Sequence, residues 1–128
     1  MISVIIATKN RDEALRNISL PSLLRQDTSD FEVILWDGSD SEKSRRVAEQ
    51  YVSLFKEKRV PLRYFMAPRV GSASQRNDAV QAAQGEIVFF IDDDSEVSPD
   101  GLSALEKCFG KSPECMGAGL MVLEKNMA

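Results

Sequence analysis

The sequence predicts an α/β protein of three α/β/α layers around a mainly parallel sheet. Short apolar runs rich in β-branched and aromatic residues recur at regular intervals: Ser3–Ala7, Phe31–Trp36, Leu62–Phe65, Ile87–Ile91 and Met116–Leu123. Helical patterns fill most of the gaps, and strands alternating with helices build parallel βαβ units. At 128 residues, 43% of them hydrophobic and 28% charged, the chain fits one globular domain with its own core, spanning residues 1–128.

The first strand starts almost at the first residue. After it, Ala14, Leu15, Ile18, Leu23 and Leu24 carry helical spacing, with Pro21 expected to restart the helix after a kink. The second strand leads into Ser39-Asp40-Ser41-Glu42, which matches a capping box. Val47, Tyr51, Leu54 and Phe55 follow at i, i+4, i+7 and i+8, one face of a second helix. A third helix is expected to begin at Ser72, with Gln75 completing a second capping box, and to stop at Gly85. A fourth follows Ser98-Pro99 and ends near Gly110. No repeat, low-complexity stretch or linker interrupts this order.

Composition excludes several functions. Net charge is -4 and the 16 Lys and Arg residues are scattered, so the basic face that nucleic acid needs is missing. With no histidine, a Ser-His-Asp triad, a His base and any His-containing metal site are excluded. Cys108 and Cys115 form no CxxC pair and are too few for zinc; they read as two buried thiols in a reducing compartment. The opening run Ile2 to Ala7 is too short for a signal peptide or a membrane span. A cytoplasmic location is expected, with peripheral membrane contact left open.

The segment EIVFFIDDDSEV, Glu86 to Val97, carries the most information about function. A buried strand, Ile87 to Ile91, runs straight into Asp92, Asp93 and Asp94. In open α/β sheets ligands bind just outside the carboxyl ends of the strands, where this cluster falls. Two unit charges about 4 Å apart repel by roughly 1 kcal/mol in water and about 4 kcal/mol at a dielectric of about 20. A divalent cation relieves that repulsion, and all-oxygen ligands favour Mg²⁺ or Mn²⁺.

Three other segments fall on the same rim: Thr8-Lys9-Asn10-Arg11, Asp37-Gly38-Ser39-Asp40, and Arg69-Val70-Gly71 with the helix carrying Arg76-Asn77. A carboxylate such as Asp37 can accept hydrogen bonds from a base N–H or a ribose hydroxyl. Gly38 lets the backbone turn tightly beside a ligand. Arg76, one turn into a helix, can hold a phosphate bidentately where the helix dipole already favours an anion. Together these residues point to a site for a nucleotide diphosphate and a metal.

SVIIATKNR, VILWDGSDSEKS, GSASQRNDAVQAAQGEIVFFIDDDSEV and CMGAGLMV, in that order and spacing, resemble family 2 glycosyltransferases. Those are inverting enzymes of the Rossmann-like GT-A fold that use nucleotide sugars. The resemblance implies that Asp92-Asp93-Asp94 plays the DxD role. Asp94, with Asp92, would be the metal ligand, and Asp92 and Asp93 would hold ribose or metal-bound water. It also implies that Ala7, Thr8, Asn10 and Asp37 line the nucleoside pocket and that Arg76 lies near base or diphosphate. The implied cofactor is Mn²⁺ or Mg²⁺. The implied donor is a UDP- or GDP-sugar, and the acceptor a polysaccharide, lipid-linked sugar or protein.

The chain departs from the family pattern in three places. The first loop often reads Pro-Thr-Tyr-Asn, whereas here Ala7-Thr8-Lys9-Asn10 lacks the aromatic. The second motif often has two acids before Gly-Ser, and here Trp36 takes the first place, so Asp37 serves alone or Trp36 stacks. The family's catalytic base lies beyond the strand expected at Met116–Leu123, so the chain reads as the nucleotide-binding half of a GT-A domain. Self-association could then cover its open sheet edge. Two other readings compete: a non-catalytic nucleotide-sugar binding module, and a haloacid-dehalogenase-like phosphatase. The second is disfavoured because Ser95-Glu96 follows the acids where Gly-Thr is usual. A calcium loop of EF-hand type fails, since Val97 and Ser103 stand where Gly and Glu are required.

Overall fold

A computed structural model describes residues 1–67 and 72–111. Four strands, β1 (Ile2–Thr8), β2 (Phe31–Asp37), β3 (Leu62–Met66) and β4 (Ile87–Asp92), form one sheet in the order β3-β2-β1-β4. Every pairing is parallel, as the alternating pattern predicted. The strands extend past their apolar runs into Thr8, Asp37 and Asp92, because hydrophobic pattern marks only apolar side chains while the backbone ladder continues through polar ones. The fifth expected strand, Met116–Leu123, lies outside the described residues, as does Arg69-Val70-Gly71.

Strand alternation divides the core in two. Val4, Ile6, Val33, Leu35, Phe89 and Ile91 meet Leu15, Leu20, Leu23, Val47, Phe55, Leu102 and Leu105 on one face. Ile5, Ile34 and Trp36 pack with Ala79 on the other, joined by the partly buried Ala82 and Phe90. Each fully buried Leu, Ile or Phe contributes about 1.5–3 kcal/mol, so the first face dominates stability. The path runs outward from β1 through β2 to β3, then crosses beneath the sheet by helix α4 (Ser72–Ala82) to β4 on the far side of β1. The direction of winding therefore reverses between β1 and β4, and the crevice at that reversal is where α/β sheets bind ligands.

The helices correct several details. The first is one continuous run: α1 (Asp12–Ala14), a π-helical segment (Leu15–Ser19) and α2 (Leu20–Leu24). The expected kink at Pro21 is a widened turn instead. Leu20 N–H donates to Leu15 O, five residues back, and Pro21, which has no N–H, sits in the first turn of α2. Helix α3 (Lys43–Glu57) begins later than the capping box implies, with Glu42 rather than Ser39 at its N-cap and no side-chain cap. Val47 and Phe55 are buried and Tyr51 half-buried, but Leu54 is 45% exposed; Ser44 and Ala48 complete the inner face.

Helix α4 ends at Ala82, three residues before Gly85. Gly85 instead allows a close backbone approach, since a Cβ there would lie 2.6 Å from Met1 O and 2.9 Å from Ser3 N. The end of α4 is clamped by buried Glu32, which accepts from Ser3 Oγ, from Gln84 N at 2.7 Å and from Arg63 Nη2 at 2.6 Å. Arg63 also donates to Ala82 O at 2.6 Å.

Helix α5 (Gly101–Lys111) follows Ser98-Pro99 as expected. Cys108 on it is disulfide-bonded, which corrects the expectation of two thiols; the spacing that argues against zinc does not argue against a single bridge. The other cysteine, Cys115, lies outside the described residues. Among the described residues no helix is long and apolar enough to cross a membrane.

Candidate functional site

Register brings the rim together. Thr8 pairs with Asp37 across β1 and β2, and Ala7 pairs with Asp92 across β1 and β4. Asp93 therefore lands beside Thr8, whose Oγ1 donates to Asp93 Oδ2 at 2.8 Å. Both side chains are buried. Asp92 is exposed and Asp94 half-buried, so the three adjacent acids differ in what they can reach. Burial pushes the Asp93 carboxyl above the usual carboxylate range; the Thr8 hydrogen bond and the Arg11 charge oppose that, while Asp94 and Asp92 add to it.

Arg11 spans the cluster. Its Nε lies 3.3 Å from Asp93 Oδ1 and its Nη2 3.1 Å from Asp94 Oδ2. The residue before it, Asn10, adopts a left-handed conformation with φ 56°, which asparagine tolerates better than most residues. Asn10 Nδ2 donates to Asp40 Oδ2 at 3.0 Å, and Asp40 N–H donates back to Asn10 Oδ1 at 3.0 Å. Asn10 N–H donates to Ser39 Oγ at 2.8 Å. This contact occupies the serine expected to cap α3, and it binds the first loop to the second.

Asp37, 2% exposed, is held on both carboxylate oxygens. Ser39 N–H donates to Oδ1 at 2.9 Å, and the Tyr64 hydroxyl makes a short bond to Oδ2. Burial, then the Asp37 bond and charge, push the Tyr64 phenol above its ordinary value, so it remains a donor. Each Asp37 oxygen, as a carboxylate acceptor, has the capacity for a second hydrogen bond. Trp36 faces the opposite side of the sheet, stacked on Phe65 with ring centroids 4.9 Å apart. Strand alternation thus puts Trp36 in the core and leaves Asp37 as the acid of the second motif. Arg76 lies on α4, but its side chain is outside the described part of the structure.

Sequence reasoning singled out neither Arg11, Ser39 nor Tyr64 for these contacts. Tyr64 was within reach: it pairs with Leu35, two residues before Asp37 and on the same sheet face, a diagonal that long side chains span. Gln26 was not. It is 3% exposed, donates from Nε2 to Ser98 O at 2.7 Å and Val97 O at 3.3 Å, and accepts from Leu102 N at 3.0 Å. The segment following Asp94 is thereby fastened to the end of α2.

A cavity of about 430 Å³ opens beside the cluster, lined by Asn10, Arg11, Asp12, Glu13, Ala14 and Lys43. Another of about 310 Å³, lined by residues including Val52, Pro61 and Leu62, lies at the opposite end of the sheet. Among the described residues no three Asp, Glu or Cys side chains converge as a ready-made metal cage. Asp92, exposed, and Asp94, half-exposed beside Arg11, are the carboxylates of the cluster that could hold a cation such as Mg²⁺ or Mn²⁺.

Comparison with known proteins agrees with this geometry. The profile of the family described as "Glycosyl transferase family 2" matches residues 3–119. A putative colanic acid biosynthesis glycosyl transferase, WcaA, from Escherichia coli K12 is 38% identical over 104 residues, covering 80% of this chain and 36% of the relative. A GalNAc(5)-diNAcBac-PP-undecaprenol beta-1,3-glucosyltransferase from Campylobacter jejuni is 30% identical over 106 residues, covering 81% and 33%. The chain thus spans about a third of the length of these relatives. Residues 1–349 of S. aureus TarS, solved with UDP-GlcNAc, superpose with TM-score 0.72 at 26% identity over 86% of this chain and 31% of that one. A Pyrobaculum calidifontis mannosyltransferase, at 24% identity over 84% and 32%, shares the fold with TM-score 0.74. With a profile match over residues 3–119, nearly its whole length, the chain belongs to glycosyl transferase family 2.

Proposed function

We propose that the rim formed by β1, β2 and β4 binds the nucleoside diphosphate of a UDP- or GDP-sugar and serves inverting transfer of that sugar to an acceptor hydroxyl. The acceptor would be a polysaccharide, a lipid-linked sugar or a protein. The observation that carries this reading is the gathering of Asp37, Thr8, Arg11 and Asp92 to Asp94 at the winding reversal between β1 and β4. The 26% identity to a protein solved with UDP-GlcNAc supports the donor class.

Each residue is suited by its surroundings to one role. Asp37, oriented by Tyr64 and Ser39, accepts from the base or ribose of the donor. Ala7, Thr8 and Asn10 form the wall beside it, with Thr8 holding buried Asp93 in place. Asp92, exposed at the strand end, is assigned to ribose or a metal-bound water. Arg76 and Arg11 offer guanidinium groups to the diphosphate. Asp94, with Asp92, holds Mn²⁺ or Mg²⁺. These carboxylates would place a divalent ion where it could supply charge neutralisation to the diphosphate.

Melting curves test the proposal. Mn²⁺ together with UDP or GDP should stabilise the protein more than either alone, by about 2.7 kcal/mol at about 100 times the dissociation constant. Asp94→Asn should abolish that synergy while leaving the fold intact. Identical curves with and without both ligands defeat the proposal.

A further inference from the structure

We propose that Arg11 is a built-in counter-ion that keeps divalent metal off the aspartates until a nucleotide diphosphate arrives. The inference rests on the metal reading above and adds an order of binding to it. With Thr8 on Oδ2 and Arg11 Nε 3.3 Å from Oδ1, buried Asp93 has a partner on both oxygens. Of the two acids assigned to the metal, Asp94 is the one Arg11 touches, and there an ion meets a guanidinium nitrogen 3.1 Å from Oδ2. Two cations competing for one carboxylate repel each other, so metal alone can use Asp94 together with Asp92 only by displacing Arg11.

Displacement requires only a side-chain movement. The Arg11 side chain is 53% exposed, so no core packing is lost when it swings. Its backbone is held, because Asn10 is fixed to Asp40 and Ser39 by three hydrogen bonds. The cavity that Arg11 lines with Lys43, Asp12 and Glu13 gives the guanidinium a destination, with Asp12 itself 3.8 Å from Arg16. A diphosphate seated there offers it a bidentate anion in exchange for Asp94. Nucleotide thus frees the carboxylate and adds phosphate oxygens to the metal's shell at once, which is positive coupling between two ligands.

Mn²⁺ binding followed by electron paramagnetic resonance, with and without UDP or GDP, tests this directly. The protein should bind Mn²⁺ weakly alone and far more tightly with the cognate nucleotide. Arg11→Gln should bind Mn²⁺ alone at least tenfold more tightly than the parent, with correspondingly smaller gain from nucleotide. Arg11→Lys, which keeps the charge but loses the fork, should fall between the two. If Arg11→Gln melts like the parent, and both bind Mn²⁺ with nucleotide, yet its affinity for Mn²⁺ alone stays within twofold, the counter-ion role is overturned. If neither protein binds Mn²⁺ with either nucleotide, the metal reading itself fails and this inference with it.

Discussion

Thr8 and Asp93, 85 positions apart in the chain, share a buried 2.8 Å hydrogen bond that joins the end of β1 to the loop after β4. With the Arg11 pairs to Asp93 and Asp94, it ties the first and last parts of the site together. Thr8→Val keeps the shape of the side chain and removes the donor. Asp93 would then keep its burial and lose a bond that favours its charged form, so its carboxyl should titrate still higher. A stability loss of about 1–3 kcal/mol is expected from the unsatisfied acceptor. Urea denaturation checks the first effect and carboxyl NMR titration the second.

Tyr64 should matter to ligand binding without touching the diphosphate. Its hydroxyl orients Asp37, so Tyr64→Phe should weaken uridine or guanosine and the corresponding diphosphate by the same few-fold factor. Asp37→Ala should do the same more strongly. Calorimetric titration with nucleoside and nucleotide separates this from Arg11 or Arg76 replacements, which should affect the diphosphate alone. An unchanged nucleoside affinity in Tyr64→Phe would assign the tyrosine to stability only.

Glu32 predicts a pH dependence with a definite sign. Burial opposes its charge, but Ser3, the Gln84 N–H and Arg63 together outweigh burial and hold its carboxyl below the usual range. A lowered folded value means the stabilisation is complete above the unfolded-chain value and is lost as pH falls through the folded one. Asp93, raised in the folded state, acts oppositely: its ionisation costs stability at neutral pH, and acid relieves that cost. Glu32→Gln should therefore flatten the acid limb of the stability profile. Removing one partner of a buried pair costs about 3–5 kcal/mol, less here because Arg63 is 30% exposed and keeps its bond to Ala82. Denaturation at a series of pH values measures both.

Arg59 offers a stabilising change. It has φ 65° just past α3, where Val60 N–H donates to Phe55 O and Arg59 N–H to Lys56 O, the paired bonds of a Schellman cap. That conformation strains a residue with a Cβ by about 1–2 kcal/mol, partly offset by the extra entropy glycine loses on folding. Arg59→Gly should raise stability by about 0.5–1 kcal/mol. Thermal unfolding would show it, and a lower melting temperature would contradict it.

The order of strands and helices was legible in the sequence because it rests on local pattern. Continuous apolar runs such as Ile87–Ile91 read as strands covered on both faces, and the acids at their ends mark the rim. The grouping of Thr8, Asp37 and Asp92 to Asp94 also followed, since parallel strands place all their carboxyl ends on one side. The family resemblance rests on those same segments, and the profile match extends it across residues 3–119.

Tertiary structure decided how these residues divide their work. Three adjacent aspartates look equivalent along the chain, yet the pleat and the turn after β4 bury Asp93 against Thr8, expose Asp92 and leave Asp94 between them. Ser39 matched a capping pattern, but a neighbouring loop claimed its hydroxyl; Leu54 had the spacing of a core residue, but among the described residues it stays 45% exposed on the outer side of α3. Arg11 could not be paired with Asp94 from spacing, because 83 positions separate them and only the closing of β4 onto β1 brings them together. Local propensity is a property of a few neighbouring residues. Burial, charge pairing and the choice among hydrogen-bond partners depend on segments distant in sequence, and are set only when the sheet assembles.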